Sequence, residues 1–309
     1  MKQALIIGAS GQVARFLGRS LSAENIPFVS TTSKDAAAPQ FLDLAQPDSI
    51  AKRLNAIRAE QAGPIEVFLP GALTHVDRCE QERELCKKTN FLGPVTVAKL
   101  CQKFQWPLTF FSTEYVFGEA EYHGGAIGPF KESDTPSPSS YYGQCKLDAE
   151  REILSIDSKN LIIRTTMVFS WDAQGMNFLM QYIRHLDKLK AAEQVQKFKI
   201  PKDQISTPTY APDLAEKTVR LRKMEQGGVF HLVGSDLLSR KQLVQRVMQT
   251  FGYDPALESL GFDYLLTKDL GQAARRPLAA GLISEKMEKV GSTALSLAEA
   301  FADVKKLRQ

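Results

Sequence analysis

The chain has 309 residues, of which 43% are hydrophobic and 24% are charged, and its formal net charge is only +4. These values are typical of a globular protein, and they argue against a nucleic-acid-binding protein, a disordered chain and a membrane span of roughly 20 apolar residues. The first apolar run is too short for a signal sequence, and the four cysteines show neither metal-type spacing nor a secreted disulfide framework, so we expect a cytoplasmic protein without a bound metal.

The first half of the chain alternates short apolar runs with amphipathic stretches. The runs predicted to be strands are residues 4–7, 27–30, 65–69, 108–112 and 161–165. The stretches predicted to be helices are residues 12–23, 49–60, 82–104 and 142–155. This alternation predicts an α/β fold with a Rossmann-type, doubly wound parallel sheet. Glycine, proline and serine dominate residues 118–140, which we predict to be a loop.

The second half of the chain is less regular. Helices are predicted at 177–190, 212–224, 239–251 and 294–307, and strands at 197–200 and 229–233, the last of which returns to the sheet. We expect a Rossmann domain over residues 1–169, with returning segments near 203–233. A smaller substrate-binding lobe is expected over residues 170–202 and 234–309.

A glycine-rich turn follows the first predicted strand and opens the first predicted helix, with the sequence Gly8-Ala9-Ser10-Gly11-Gln12-Val13-Ala14. In this position Gly8 makes a tight turn, Gly11 lets main-chain N–H groups approach a pyrophosphate, and the start of the helix favours negative charge. A plain tight turn between strand and helix is the alternative. We predict a dinucleotide site that includes Gly8, Ser10, Gly11, Gln12 and Val13.

The end of the second predicted strand bears on the choice of dinucleotide. It reads Val29-Ser30-Thr31-Thr32-Ser33-Lys34, without the acid that would bind a free ribose hydroxyl. Hydroxyls and an ammonium suit a 2′-phosphate, so Ser33 and Lys34 favour NADPH over NADH, with ordinary solvation of both side chains as the alternative. Asp43, beside Leu44, is expected either to accept from the adenine amino group or to cap the next helix.

Tyr142 and Lys146 are four residues apart, so on a helix they share one face. From that spacing we expect the ammonium of Lys146 to lower the pKa of the Tyr142 phenol below its usual value of about 10. The same spacing recurs at Tyr264 and Lys268, far from any glycine-rich turn, and we regard that pair as a coincidence. The first pair gains weight from its position downstream of the glycine turn and of Thr113.

These motifs resemble those of the extended short-chain dehydrogenases/reductases, and most closely those of the dTDP-4-dehydrorhamnose reductases and their relatives. Besides the glycine turn, the similar segments are residues 72–80, 112–117, 131–138, 142–147, 163–165, 175–178, 208–215 and 275–277. They extend over nearly the whole chain. Their order along the sequence is far more specific than any one of them.

The resemblance implies catalytic and cofactor-binding roles at matching positions. Thr113, Tyr142 and Lys146 would form the catalytic trio: Thr113 orients the substrate oxygen, Tyr142 protonates it, and Lys146 also binds the nicotinamide ribose. The remaining positions that would contact the cofactor are Leu44, Gly71, Ala72 and Thr74. Asn90 would support the lysine, with a purely structural hydrogen-bonding role as the alternative.

The resemblance also implies a substrate site for a nucleotide-linked sugar. Its expected residues are His75, Glu114, Tyr115, Met167, Asn177 and Arg276. For His75 the alternative is a surface histidine, and for Arg276 a structural ion pair. Glu114 stands where these reductases usually have Asp and Met167 where they often have Trp, so we expect a different sugar.

Three functions are compatible with the sequence. The first is an NADPH-dependent reductase of a nucleotide-linked 4-keto sugar, with NADH as a possible cofactor. The second is a non-catalytic, NADP-binding regulatory subunit that resembles that of methionine adenosyltransferase. The third is a nucleotide-sugar epimerase or dehydratase. The intact Thr113, Tyr142 and Lys146 favour the first, and the sequence leaves a homodimer open.

Overall fold

The computed structural model describes residues 1–61, 63–119, 128–172, 175–191 and 194–308. The strands are β1 (Ala4–Ile6), β2 (Phe28–Ser30), β3 (Glu66–Leu69), β4 (Leu108–Thr113), β5 (Leu161–Thr165), β6 (Val168–Phe169), β7 (Phe198–Pro201), β8 (Ile205–Ser206), β9 (Thr209–Tyr210), β10 (Gly228–His231), β11 (Leu238–Ser239) and β12 (Phe262–Leu265). The α-helices are α1 (Gln12–Ala23), α2 (Pro47–Glu60), α3 (Val76–Gln81), α4 (Arg83–Lys87), α5 (Gly93–Phe104), α6 (Tyr141–Ile156), α7 (Phe178–Lys190), α8 (Ala211–Lys223), α9 (Arg240–Phe251), α10 (Ala256–Gly261), α11 (Glu285–Lys289) and α12 (Leu297–Arg308).

A parallel sheet lies at the centre of the fold. Within the described residues it has six strands, in the order β10-β5-β4-β3-β1-β2. Every residue of β4 and β5 is buried, because both faces of the sheet are covered. On one face α1 packs against α8, and on the other α2 packs against α5. The predicted doubly wound α/β fold is therefore confirmed.

The helix predicted at residues 82–104 is interrupted. α4 and α5 are joined by a π-helical segment, Lys88–Leu92, in which Asn90 is fully buried. A π-helical segment inserts an extra residue into the turn and re-aims the side chains beside it. The side-chain amide of Asn90 bonds the main chain of Leu73 in both directions, at 2.9 and 3.0 Å. Periodicity alone gave no sign of this interruption.

A second hydrophobic core lies among α7, β7, α9, β12 and α12. Its largest members include Phe169, Tyr182, Phe262 and Phe301. The chain returns to the central sheet at β10, which pairs with β5 as predicted for residues 229–233. The two-domain division and its boundaries remain predictions.

Two smaller expectations can be compared with the structure. Tyr264 lies in β12 and Lys268 in a 3₁₀ turn, so the second Tyr/Lys pair shares no helix. Of the predicted loop at 118–140, residues 120–127 lie outside the described residues. The described part contains no helix or strand before α6 and is tied down by bridges that join Gly118 to Pro138 and Phe130 to Leu282.

Candidate active site

A cavity of about 650 Å³ opens at the carboxyl ends of β1, β3, β4 and β5. This edge of a parallel sheet is where ligands bind in open α/β folds. Most of the residues predicted for cofactor, catalysis or substrate line this one cavity: Gly8, Ser10, Gly11, Gln12, Val13, Ser33, Asp43, Leu44, Gly71, Ala72, Thr74, Thr113, Glu114, Tyr115, Tyr142, Lys146 and Met167. The predicted roles of these residues remain predictions, but the fold places them together.

The glycine turn has the geometry that an anion site needs. Gly8 has φ of +93°, a backbone conformation that side chains with a Cβ rarely adopt. α1 begins directly afterwards at Gln12, its first turn holds no acidic residue, and its N-cap residue Gly11 offers no side chain to the free N–H groups. These N–H groups and the helix dipole are therefore available to a phosphate.

Ser33 and Lys34, which the sequence predicted to favour NADPH over NADH, differ in position. Ser33 lines the cavity, whereas Lys34 is exposed and its side chain is not part of the lining. Asp43 lines the cavity and also organises the turn before α2, since its carboxylate accepts from the Ala45 N–H at 2.9 Å and from Gln46 Nε2 at 2.7 Å. Asp43 does not cap α2, whose N-cap residue is Gln46, so the helix-capping alternative is not the one that the structure shows. The Asp43 carboxylate lies at the cavity wall.

The predicted catalytic trio is assembled from α6 and the end of β4. α6 starts at its N-cap Ser140, whose hydroxyl accepts from the Gly143 N–H at 3.2 Å. This start places Tyr142 and Lys146 on the buried face of the helix, 7% and 1% exposed. Thr113 is the last residue of β4, and its hydroxyl lies beside the Tyr142 phenol, whose pKa it lowers as a hydrogen-bond donor. The Tyr115 ring packs edge-on against that of Tyr142, with ring centroids 5.6 Å apart.

The expected electrostatic pairing of Tyr142 with Lys146 is wrong for this structure. Burial raises the pKa of Tyr142 well above its usual value, and the hydrogen bond from Thr113 offsets only part of this rise. Lys146 does not oppose it, because its Nζ donates to the Phe111 carbonyl at 2.5 Å and lies 3.8 Å from the centre of the Phe110 ring. Burial also lowers the pKa of Lys146 to about 7, and Glu150 limits the fall.

A buried ion pair lies behind Lys146. Glu150 is one turn further along α6, and its carboxylate accepts from Arg164 Nη2 at 2.6 Å and from Arg164 Nε at 3.1 Å. Both side chains are almost fully buried. Arg164 Nη1 also lies 3.5 Å from Nε2 of His231 on β10. Burial and the Arg164 charge lower the pKa of His231 to about 3, so this imidazole is neutral at ordinary pH.

Three of the residues predicted for the substrate lie in the cavity wall. Glu114 is buried, and its Oε2 accepts from the Ser206 hydroxyl at 2.8 Å. Tyr115 contacts Tyr142 as described above. Met167 has φ of +42°, an unusual backbone conformation for a residue with a long side chain, in the short link between β5 and β6. Strain of this kind is often concentrated at ligand sites.

The other three predicted substrate residues have structural partners and are not part of the cavity lining. His75 is exposed, and its Nδ1 accepts from the Arg78 N–H at the start of α3. Asn177 caps α7 by accepting from the Met180 N–H at 3.2 Å. Arg276 donates to the Asp77 carboxylate at 2.7 Å, which is the structural pairing given above as its alternative. Their proposed contact with substrate is untested.

The cavity also contains residues that the sequence did not single out. The main ones are Arg240, at the start of α9, Thr165, the last residue of β5, and Thr166, which follows it. No motif marks Arg240, and its only local signal is the helix start set by the preceding Ser239. The side chains that face the cavity from α9 depend on how the second core packs. Residue spacing alone does not report that packing.

The described part of the chain shows neither a metal site nor a membrane-crossing helix. Among the described residues, no cluster of three or more His, Cys, Asp or Glu side chains is arranged to hold a metal ion. In the same part of the chain, none of the helices combines the length and apolarity needed to cross a membrane. The four cysteines are free thiols, and Cys79, Cys86 and Cys145 cluster beside Tyr142.

Comparisons with known proteins extend over the whole fold. The family described as "RmlD substrate binding domain" matches residues 1–306. The dTDP-4-dehydrorhamnose reductase of Salmonella typhimurium is 31% identical over 235 residues, which cover 74% of this chain and 71% of the relative.

Solved structures agree with this match. A dTDP-4-dehydrorhamnose reductase from Clostridium acetobutylicum superposes with a TM-score of 0.83 at 25% identity and covers 99% of both chains. The Bacillus anthracis dTDP-4-dehydrorhamnose reductase, solved in complex with NADP, has the same fold, with a TM-score of 0.83, 24% identity and coverage of 99% of this chain and 100% of that one. With the fold and cavity described above, these matches show that the chain belongs to the RmlD substrate binding domain family, the family of the dTDP-4-dehydrorhamnose reductases.

Proposed function

We propose that this chain is an NADPH-dependent reductase that converts the carbonyl of a nucleotide-linked 4-keto sugar to an alcohol. The observation that carries the proposal is that Thr113, Tyr142 and Lys146 line one cavity together with the Gly8 turn. A hydroxyl, a phenol and an amine that converge on one point match the needs of carbonyl reduction. The relatives' printed name, dTDP-4-dehydrorhamnose reductase, supports the same substrate class.

Tyr142 is suited to give a proton to the carbonyl oxygen. The Tyr142 phenol is protonated at neutral pH, as a proton donor must be, because its pKa is not below the ordinary value of about 10 and burial raises it further. Thr113 would donate a hydrogen bond to the same oxygen and so fix its position. Bound NADPH would supply the hydride that reaches the carbonyl carbon. The Tyr142 proton then completes the alcohol, and solvent returns a proton to the phenolate.

Lys146 would stabilise this chemistry by its charge. A phenolate that forms at Tyr142 in a buried cavity is stabilised by a nearby cation, and the same ammonium would bind the nicotinamide ribose. In the structure the ammonium donates to the Phe111 carbonyl. We propose that its remaining two N–H donors serve ribose and phenolate, with Phe111 holding the side chain at the end of β4.

The residues that would hold the dinucleotide fit it. The free N–H groups at the start of α1 suit the pyrophosphate, and Gly71 packs directly beside the turn, because an ideal Cβ on Gly8 would lie 3.4 Å from the Gly71 Cα. Ser33 offers a hydroxyl three residues after β2, and no acid lies between β2 and Asp35. The NADP bound in the Bacillus anthracis protein supports the choice of the phosphorylated cofactor.

Turnover of NADPH with keto-sugar nucleotides tests the proposal. We expect the purified chain to oxidise NADPH with at least one 4-keto-6-deoxysugar linked to dTDP, UDP, GDP or CDP. Tyr142→Phe should lower kcat by at least about a thousandfold, as loss of the proton donor requires. Tyr141→Phe is the matched control, because this neighbouring phenol is not in the cavity lining. Failure to oxidise NADPH with any of these sugars would overturn the proposal.

A further inference from the structure

Arg240 is half-buried, and among the described residues it differs from three buried arginines in lacking a carboxylate partner. Arg164 pairs with Glu150, Arg222 with Glu66 and Arg276 with Asp77, each with an N–O distance of 2.6 or 2.7 Å. Among the described residues, no carboxylate lies within ion-pair distance of Arg240, and its Nη1 is a buried atom without a hydrogen-bond partner. A buried guanidinium nitrogen without a partner is destabilising, so it calls for a functional explanation.

The rest of the Arg240 side chain is held in place. Ser239 and Gln242 form a capping box that fixes the first turn of α9. The Arg240 N–H donates to the Gln204 carbonyl at 3.2 Å, and Arg240 Nη2 lies 3.4 Å from Gln204 Oε1. Gln204 is itself buried and donates to the Thr267 hydroxyl at 3.1 Å. The guanidinium is therefore oriented by the protein, while its buried Nη1 has no hydrogen-bond partner among the described residues.

Arg240 contributes to the wall of the catalytic cavity. Within the described lining, the cations are Lys146 and Arg240, and Lys146 already donates to the Phe111 carbonyl. The field of Arg240 also reaches α7, because burial raises the pKa of Tyr182 and the Arg240 charge opposes that rise. An anion in this part of the cavity would meet a fixed positive charge that the glycine turn, at the end of β1, does not supply.

We propose that Arg240 binds the diphosphate of the nucleotide-sugar substrate. Guanidinium groups bind phosphate oxygens through two parallel N–H bonds, and a phosphate at Nη1 would satisfy the buried donor. The inference rests on the proposed function, because that function requires a ligand with a diphosphate beside its sugar. It assigns phosphate binding to a residue that the sequence did not mark. Arg276, which the sequence predicted to bind the substrate, donates through Nη2 to Asp77.

Binding of dTDP, dTMP and thymidine in the absence of turnover tests this assignment. With wild-type protein, each phosphate should strengthen binding. Arg240→Met should weaken dTDP binding by about tenfold to a hundredfold, as expected for a lost hydrogen bond to a charged group, and change thymidine binding little. Arg240→Lys should recover part of the dTDP affinity because it restores charge without the two-pronged geometry. UDP, GDP and CDP are measured in parallel in case the base is not thymine.

Arg246→Met is the matched control, since Arg246 is an exposed residue of the same helix. Arg240→Met should leave NADPH affinity unchanged, which shows that the protein is folded. The assignment is overturned if Arg240→Met binds dTDP as well as wild type, if it loses thymidine and dTDP affinity equally, or if wild-type protein binds none of the nucleoside diphosphates. Arg240-dependent dTDP binding without NADPH oxidation would refute the proposed reductase and leave this inference standing.

Discussion

The ammonium of Lys146 lies 2.5 Å from the main-chain oxygen of Phe111, so the lysine is anchored to the strand that ends in Thr113. Lys146 lies one helical turn from Tyr142 along α6, so the bond fixes the amine to β4 on the buried face that the two residues share. Burial is the largest cause that raises the pKa of Tyr142 above its usual value. The phenol is therefore protonated at neutral pH.

The stability of the protein should depend on pH through Lys146. Burial lowers its pKa from 10.5 to about 7, so between these pH values the unfolded chain binds more protons than the folded one. The contribution of Lys146 to the free energy of unfolding therefore rises as the pH rises from about 7 towards 10. We expect Lys146→Met to be more stable than wild type near neutral pH, by a margin that narrows in alkaline buffer.

Urea unfolding at several pH values checks this prediction. Lys103→Met, which replaces an exposed lysine of α5, serves as the control and should show no such trend. A stability difference between Lys146→Met and wild type that stays constant with pH would contradict the burial of a titrating amine.

The Glu150–Arg164 pair should contribute strongly to stability. Glu150→Gln removes the counter-charge of a buried guanidinium, and the expected loss is about 3–5 kcal/mol in the free energy of unfolding. Glu152→Gln changes an exposed residue of the same helix and should stay within about 0.5 kcal/mol of wild type. Chemical denaturation measures both, and similar small losses in the two variants would show that the buried pair is unimportant.

Alanine substitutions at Gly8 and Gly63 should separate an effect on stability from an effect on NADPH binding. Gly8→Ala forces a Cβ into a backbone with φ of +93°, and Gly63→Ala does the same at φ of +88° far from the cavity lining. Each should cost on the order of 1–2 kcal/mol of stability. Only Gly8→Ala should weaken NADPH binding, by about tenfold or more. Isothermal titration with NADPH would contradict the site if both variants bound equally well.

Ser33 should influence the choice of cofactor. Ser33→Asp places a carboxylate in the cavity lining at the end of β2, where it would repel a 2′-phosphate and accept from a free ribose hydroxyl. We expect the ratio of kcat/KM for NADPH over NADH to fall by about tenfold or more. Ser158→Asp, in the exposed turn before β5, should leave the ratio unchanged. An unaltered ratio in Ser33→Asp would place the 2′-phosphate elsewhere.

The sequence predicted those features that depend on local pattern. The central strands, the glycine turn before α1 and the shared face of Tyr142 and Lys146 follow from residue periodicity and from glycine at a special backbone conformation. They lie in the structure within a few residues of the predicted positions.

Features that depend on packing between distant segments were not predictable in this way. The direction of the Lys146 side chain is set by β4, and the partner of Arg276 comes from α3, nearly two hundred residues away. Arg240 reaches the cavity because the second core places α9 there. The segment around Asn90 has the composition of an ordinary helix, but in the structure its main chain is π-helical and the Asn90 amide bonds Leu73.

Transfer of deuterium from the reduced nicotinamide to the sugar tests the central claim most directly. NADPH labelled with deuterium at the transferable position is incubated with the enzyme and the keto-sugar nucleotide that supports turnover, and the product is analysed by mass spectrometry. We predict one deuterium at the former carbonyl carbon, one NADP⁺ formed for each product, and no product with Tyr142→Phe. Product formed without label or without net oxidation of the cofactor would contradict a reductase that uses Tyr142 as its proton donor.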